Sequence, residues 1–152
     1  MSEIRQNLIT RDWVIISTER AKRPHELAKK NSDKIVLPVY KPDCPFCPGN
    51  EHLCTNEIMS TRGDKDWKVK IVPNKFPALS SDGDRLRWQT GINTTVSGFG
   101  VHDVVIGTAK HNSVTALLSV EEISDIFMAF KLRYLEIAKD RRVETIIIFK
   151  NH

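Results

Sequence analysis

The order of patterns along the chain predicts an α+β fold in which an antiparallel sheet packs against one long helix. Two observations carry that prediction. Short apolar runs rich in β-branched residues recur along the chain, and a single long amphipathic stretch, opened by a cap at Ser119, precedes the last of them. One strand candidate also alternates apolar and charged residues, as a half-buried antiparallel strand does.

The first element is "DWVIIST" (Asp12–Thr18), whose β-branched residues predict a strand. The stretch "RAKRPHELAKKNSDK" that starts at Arg20 reads as a basic loop. "IVLPVY" (Ile35–Tyr40) is extended, but Pro38 lacks a ladder donor and makes it an edge or irregular segment. "WKVKIV" (Trp67–Val72) sets Trp67, Val69 and Ile71 on one face and Lys68 and Lys70 on the other. In "PNKFPAL", Pro73 and Pro77 fix an irregular loop. The polar, glycine-containing stretch Asp84–Gly100 reads as a long loop or hairpin excursion, and "VHDVVIG" (Val101–Gly107) as a second strand. Ser119 followed by Glu122 forms a capping box. Ile123, Phe127, Phe130, Tyr134 and Ile137, joined by Ile126 and Ala138, then give one apolar helical face that ends near Lys139. "VETIIIF" (Val143–Phe149) reads as a third strong strand.

The chain stops directly after that strand, at "IIIFKNH". A strand this apolar needs neighbours on both faces. Residues 1–152 are therefore expected to form one domain that is incomplete at its C-terminal end.

Composition bounds the function. Hydrophobic residues make up 40% and charged residues 28%, ordinary values for a globular protein. No apolar run approaches the ~20 residues that cross a bilayer. "MSEIRQNLIT" carries no signal-peptide core, so the expected location is the cytoplasm, with no membrane partner. The net charge of +4 favours anionic partners such as phosphates and nucleotides. Nucleic acid is not expected, because the chain offers no aromatic platform and no RNA-binding motif.

Three cysteines in a reducing compartment argue against a structural disulfide. Cys44 and Cys47, in "PDCPFCPGN", share a tight turn that can aim both thiolates at one ion. Zinc suits such ligands and asks for four of them. The five histidines His25, His52, His102, His111 and His152 are the available partners. A redox pair and two ordinary thiols are the alternatives. Cys44 does not open a helix, which removes the usual cause of a lowered thiol pKa. "RAKRP" gathers Arg20, Lys22 and Arg23, cations able to grip a phosphate or to form a solvated cluster. Asn74 and Lys75, held between two prolines, could meet a nucleobase or ribose, or form a plain turn.

Five segments in one order, "RQNLITRDWVIISTERAKRP", "PDCPFCPGNE", "WKVKIVPNKFPAL", "GVHDVVI" with "AKH", and "IIIFKNH", resemble the N-terminal domain of galactose-1-phosphate uridylyltransferases, of the histidine-triad superfamily. The resemblance covers nearly the whole chain. It implies an antiparallel half-barrel sheet with packed helices. It also implies a double displacement in galactose metabolism: UDP-glucose gives its uridylyl group to an enzyme histidine, and galactose 1-phosphate then takes it up. Nucleophilic catalysis of this kind splits one hard transfer into two.

By the same resemblance, Cys44, Cys47 and His111 match three zinc ligands. Arg20, Ala21, Lys22 and Arg23 match a segment that contacts the nucleotide sugar across a homodimer interface. Asn74, Lys75 and Asn151 match nucleotide contacts. The family's His-Pro-His motif, source of the fourth zinc ligand and of the nucleophile, does not occur in these 152 residues. The chain is thus expected to carry no catalytic residue. The implied partners are a UDP-sugar and a hexose 1-phosphate. A related adenylyl-sugar transferase or phosphorylase, and a non-catalytic zinc-bearing remnant, are the alternative readings.

Overall fold

The computed structural model describes residues 2–21, 37–63 and 66–150. Among the described residues seven strands are present: β1 (Glu3–Gln6), β2 (Trp13–Ile16), β3 (Met59–Arg62), β4 (Trp67–Pro73), β5 (Arg87–Thr90), β6 (Asn93–Ser97) and β7 (Asp103–Ile106). A short helix α1 (Thr18–Ala21) follows β2, and the long helix α2 spans Val120–Ile137. The strands form two antiparallel sheets, ordered β2-β1-β6-β5 and β3-β4-β7. The antiparallel α+β class is as expected, and the sheet is divided in two. The chain passes from one sheet to the other at Gly98–His102, where the Gly98 carbonyl oxygen accepts the Ser80 N–H at 2.9 Å. A Cβ at Gly98 would lie 2.6 Å from the backbone of Ser2, so glycine permits this close crossing.

The core lies under β4. Val69 and Ile71 are buried with Ala129 of α2, and Ile58, Met59, Val105 and Ile126 pack around them. Small Ala129 lets the helix approach the sheet. The capping box forms as expected: Ser119 Oγ accepts the Glu122 N–H at 3.2 Å, and the Glu122 carboxylate accepts the Ser119 N–H at 2.8 Å. The helix ends at Ile137, two residues before the expected Lys139.

Its contact face is rotated from the expected one. Phe127 is 65% exposed and Tyr134 is exposed too, while Ile126, Ala129 and Arg133 face the sheet. The cause is a polar anchor that apolar periodicity does not register. Arg133 Nε donates to Asp103 Oδ2 of β7 at 2.8 Å, with side chains only 15% and 9% exposed. A second expectation also needs correction. Lys70 does not face solvent as Lys68 does: its ammonium is held by Glu51 at 3.1 Å and Glu57 at 3.7 Å, beneath the segment that precedes β3.

Val143–Phe149 is not a strand. The segment forms no ladder, and Ile147 is 76% exposed. After α2 the chain turns at Asp140–Arg142, and the segment aligns with none of the edge strands β2, β5, β3 or β7, so its β-propensity goes unexpressed. Of Ile35–Tyr40, residues 37–40 are irregular and exposed, and the first two residues lie outside the described ones. Arg20 and Ala21 belong to α1 rather than to a loop. Asp84–Gly100 resolves into the β5–β6 hairpin, turned by Gly91 at φ 59 and Ile92. β1 and β3, mostly polar, have no counterpart among the expected strands. Among the described residues, no helix is long and apolar enough to cross a membrane.

Because Arg133 leaves Asp103 largely buried and unpaired when truncated, Arg133→Ala is expected to cost about 2–4 kcal/mol. Arg133→Lys should recover only part of this. Urea unfolding monitored by circular dichroism reads both; a loss in the alanine variant below ~0.5 kcal/mol would show that the ion pair does not set the helix rotation.

Candidate functional site

The cysteine turn is built from consecutive tight turns. Cys44 N–H bonds to Lys41 O, Cys47 N–H to Cys44 O and Asn50 N–H to Cys47 O, each at 3.2 Å. Gly49 takes φ 88, a left-handed conformation that glycine adopts without strain. Buried Asn50 closes the turn from inside. Its Nδ2 donates to Lys41 O at 3.0 Å and Cys44 O at 2.8 Å, and its Oδ1 accepts the Tyr40 hydroxyl at 3.0 Å. The amide thus fixes the loop that carries both thiols.

His111 arrives from the far side of the sequence, five residues past the end of β7. Its backbone N–H bonds to Val39 O at 2.9 Å, which docks it beside the turn. Its Nδ1 lies 3.5 Å from Cys47 Sγ, and the ligand atoms of Cys44, Cys47 and His111 all fall within 4.8 Å of one another. A tetrahedral zinc with Zn–S of about 2.3 Å and Zn–N of about 2.0 Å sets its ligand atoms roughly 3.3–3.8 Å apart. Two thiols and an imidazole at this spacing fit such an ion. Burial raises the pKa of the Cys47 thiol, with the neighbouring Cys44 and Asp43 adding to the effect. A cation at the centre of the group would oppose that rise, since thiolates are what metals bind. His52 and His102, considered as fourth ligands, are not part of this group.

The second cluster surrounds the loop after β4. Asn74 N–H bonds to His102 O at 2.9 Å, extending the β4–β7 pairing by one step. Asn74 Oδ1 accepts the Phe76 N–H at 2.9 Å. His102 Nδ1 accepts the Ala78 N–H at 2.8 Å, and its Nε2 lies 3.3 Å from Asn74 Nδ2. Ser17 Oγ, at the end of β2, donates to Pro77 O at 3.1 Å. The loop is therefore tied at both ends, with Asn74 half-buried and Lys75 exposed.

From the sequence His102 is a candidate metal ligand and nothing more; the structure gives it another place. The signal for its actual place is its position immediately before β7, opposite the end of β4. Desolvation by burial lowers its pKa below the ordinary 6.5, helped by the positive charge of Arg20 and opposed by Asp103. Arg20, on α1, is exposed and close enough for its charge to act on this ring. Asn74 and the charge of Arg20 thus both act on His102, and Lys75 follows Asn74 in the chain. Ala21 follows Arg20 on α1. Lys22, Arg23 and Asn151, together with His25 and His152, lie outside the described residues.

A lowered histidine pKa has a definite sign in stability. Above the unfolded value near 6.5 both states are neutral and the contribution is fully present. As pH falls below that value the unfolded chain takes up the proton first, and stability drops until the folded ring also titrates. His102→Asn keeps an acceptor near the Nδ1 position and removes the titration. The wild type should lose more stability than this variant between pH 7 and 5, as read by thermal unfolding; parallel curves would contradict the assignment.

Comparison with known proteins identifies the family. The model of the galactose-1-phosphate uridyl transferase N-terminal domain matches residues 1–152. An ADP-glucose phosphorylase of Arabidopsis thaliana is 37% identical over 98% of this chain and 43% of its own length. A galactose-1-phosphate uridylyltransferase of Thermotoga maritima is 25% identical over 99% of this chain and 41% of its own. A crystal structure of an ADP-glucose phosphorylase from Arabidopsis thaliana with bound ADP-glucose superposes with a TM-score of 0.53 at 30% identity, covering 93% of this chain and 40% of that one. The chain thus spans less than half the length of the relatives it matches. With the family model matched from the first residue to the last, and the cysteine turn and the loop after β4 in place, the chain belongs to the galactose-1-phosphate uridyl transferase family, through its N-terminal domain.

Proposed function

We propose that the chain is the nucleotide-holding part of an enzyme that moves a nucleotidyl group between sugar 1-phosphates. The observation that supports this reading is the doubly tied Pro73–Ala78 loop, which carries Asn74 and Lys75 next to His102, on whose ring the charge of Arg20 acts. A rigid loop with amide and cationic donors suits the ribose and phosphates of a nucleotide sugar. In the uridylyl form of the reaction, a histidine attacks the α-phosphorus of UDP-glucose and glucose 1-phosphate leaves. Galactose 1-phosphate then takes the uridylyl group. The attacking histidine belongs to a motif absent from these 152 residues, so this chain's residues bind and orient rather than react. Arg20–Arg23 act across a homodimer interface in this reading, and Asn151 adds a further nucleotide contact.

A second reading concerns the base. The greater identity with the ADP-glucose phosphorylase, 37% against 25% over nearly the same span, favours an adenylyl over a uridylyl group. Cys44, Cys47 and His111 would hold zinc, which supplies a structural cross-link between the cysteine turn and the segment after β7.

Calorimetric titration of the chain with ADP-glucose and UDP-glucose tests the base. Tighter binding of ADP-glucose is expected; preference for UDP-glucose would restore the uridylyl reading, and binding of neither would remove the nucleotide function from this chain. After incubation with UDP-glucose labelled in the α-phosphate and denaturation, the protein should remain unlabelled. Three protein ligands leave one position open, so zinc should be lost on prolonged dialysis against a chelator. Elemental analysis showing a full retained equivalent would mean a fourth protein ligand exists.

A further inference from the structure

The hydrogen bonds around His102 leave a mismatch with a chemical meaning. The Ala78 N–H points at Nδ1 from 2.8 Å, so Nδ1 must be the acceptor. The neutral ring then carries its proton on Nε2. Asn74 is fixed as well, because its Oδ1 accepts the Phe76 N–H. Its Nδ2 is therefore the atom that faces His102 Nε2, at 3.3 Å. Two donors face each other with no acceptor between them. Flipping the Asn74 amide would set its NH2 against the Phe76 N–H and only move the conflict. Protonating the ring would set an Nδ1 proton against the Ala78 N–H.

Two donors set against each other gain no hydrogen bond from the contact, and an incoming acceptor would satisfy both. Two N–H groups converging from a strand-anchored loop and a strand-anchored ring can share one incoming oxygen, as oxyanion-binding donors do. The surrounding charge selects which oxygen. Arg20 acts on the ring from α1, and Lys75 adjoins Asn74. The nearby acid, Asp103, is engaged by Arg133 at 2.8 Å. The field favours an anionic oxygen over a neutral carbonyl.

We propose that His102 Nε2–H and Asn74 Nδ2–H together form a cradle for one anionic oxygen, a phosphate oxygen of the bound nucleotide. The proposal rests on the reading of the Pro73–Ala78 loop as a nucleotide contact. It adds His102 to that contact as a direct donor with a fixed tautomer.

Two variants separate donation to the ligand from support of the loop. His102→Asn keeps an acceptor for Ala78 but has no donor at the Nε2 position. His102→Gln can place an amide N–H there but offers Ala78 no acceptor. Titration of the chain with ADP and UDP should show His102→Asn weakened by about tenfold or more, with His102→Gln closer to the wild type. Adenosine and uridine, which lack phosphate, should bind wild type and His102→Asn alike. The reverse order of the two variants, or undiminished binding of ADP and UDP by His102→Asn, overturns the cradle while leaving the nucleotide reading intact. An equal loss for the nucleosides overturns the phosphate assignment. A wild type that binds no nucleotide at all removes both. Independently of binding, imidazole-edited 15N NMR of the free chain should find His102 protonated on Nε2 at neutral pH; a proton on Nδ1 sinks the cradle by itself.

Discussion

Strand β4 is paired on both edges, to β3 on one side and β7 on the other, and this double pairing positions everything else. Its register sets Val72 against Val104 and Pro73 against Asp103. One step further, the backbone of Asn74 meets that of His102. The Asn74–His102 cluster is therefore the continuation of a sheet ladder, and its geometry inherits the stiffness of that ladder. The same strand buries Val69 and Ile71 against α2, so core packing and site geometry share a single element. A one-residue slip would exchange the two faces of β4 and separate Asn74 from His102 together.

β7 transmits the constraint in both directions. Before it stands His102, and five residues after it stands His111, which reaches the cysteine turn. Asp103, its first residue, holds Arg133 of α2. The metal-type cluster and the loop cluster are thus connected through four strand residues. Contacts between Cys47 and His111 span 64 positions of sequence. Closing a segment that long from an unfolded chain is entropically costly, by an amount that grows only slowly with length. A metal bound at the three ligands would offset part of that cost and hold the cysteine turn against the sheet. The His111–Val39 hydrogen bond makes the same junction with backbone atoms alone.

Much of this was legible in the sequence where one physical signal dominates. β4 shows in the alternation of Trp67, Val69 and Ile71, and α2 in the Ser119–Glu122 box, because period and capping act locally. What failed had non-local causes. The β-branched run Val143–Phe149 has high strand propensity and finds no partner edge. The rotation of α2 follows a polar pair between Arg133 and Asp103, thirty positions apart, which a count of apolar residues passes over. β1 and β3 are strands because their backbones pair, though their side chains are mostly polar. Among the candidate site residues, the cysteine pair is visible from its spacing, whereas His111 required the family resemblance, since a lone loop histidine carries no local signal. The place of His102 was not legible, because it depends on the register between β4 and β7.

The two asparagines of the clusters show how a fold distinguishes support from recognition. Asn50 is buried, and its amide is satisfied within the protein: both donors meet carbonyls and its oxygen meets the Tyr40 hydroxyl. An amide so committed has nothing left for a ligand, and its effect is to hold the shape of the turn. Asn74 has the same side chain, half-exposed, with its oxygen committed to Phe76 and its nitrogen turned toward another donor. Local inconsistency of this kind is costly in a pure scaffold and is characteristic of places where a partner completes the network. The cysteine turn is held by Asn50 and its own backbone bonds, and it brings two thiols and an imidazole together, a donor set that suits a soft cation. The loop after β4 sets two N–H-bearing groups against each other, the arrangement on which the proposed anion cradle rests. The two clusters thus lie toward opposite ends of β7, a soft-donor group on one side and an N–H-bearing loop on the other, and the proposed cation and anion roles follow that division of chemistry.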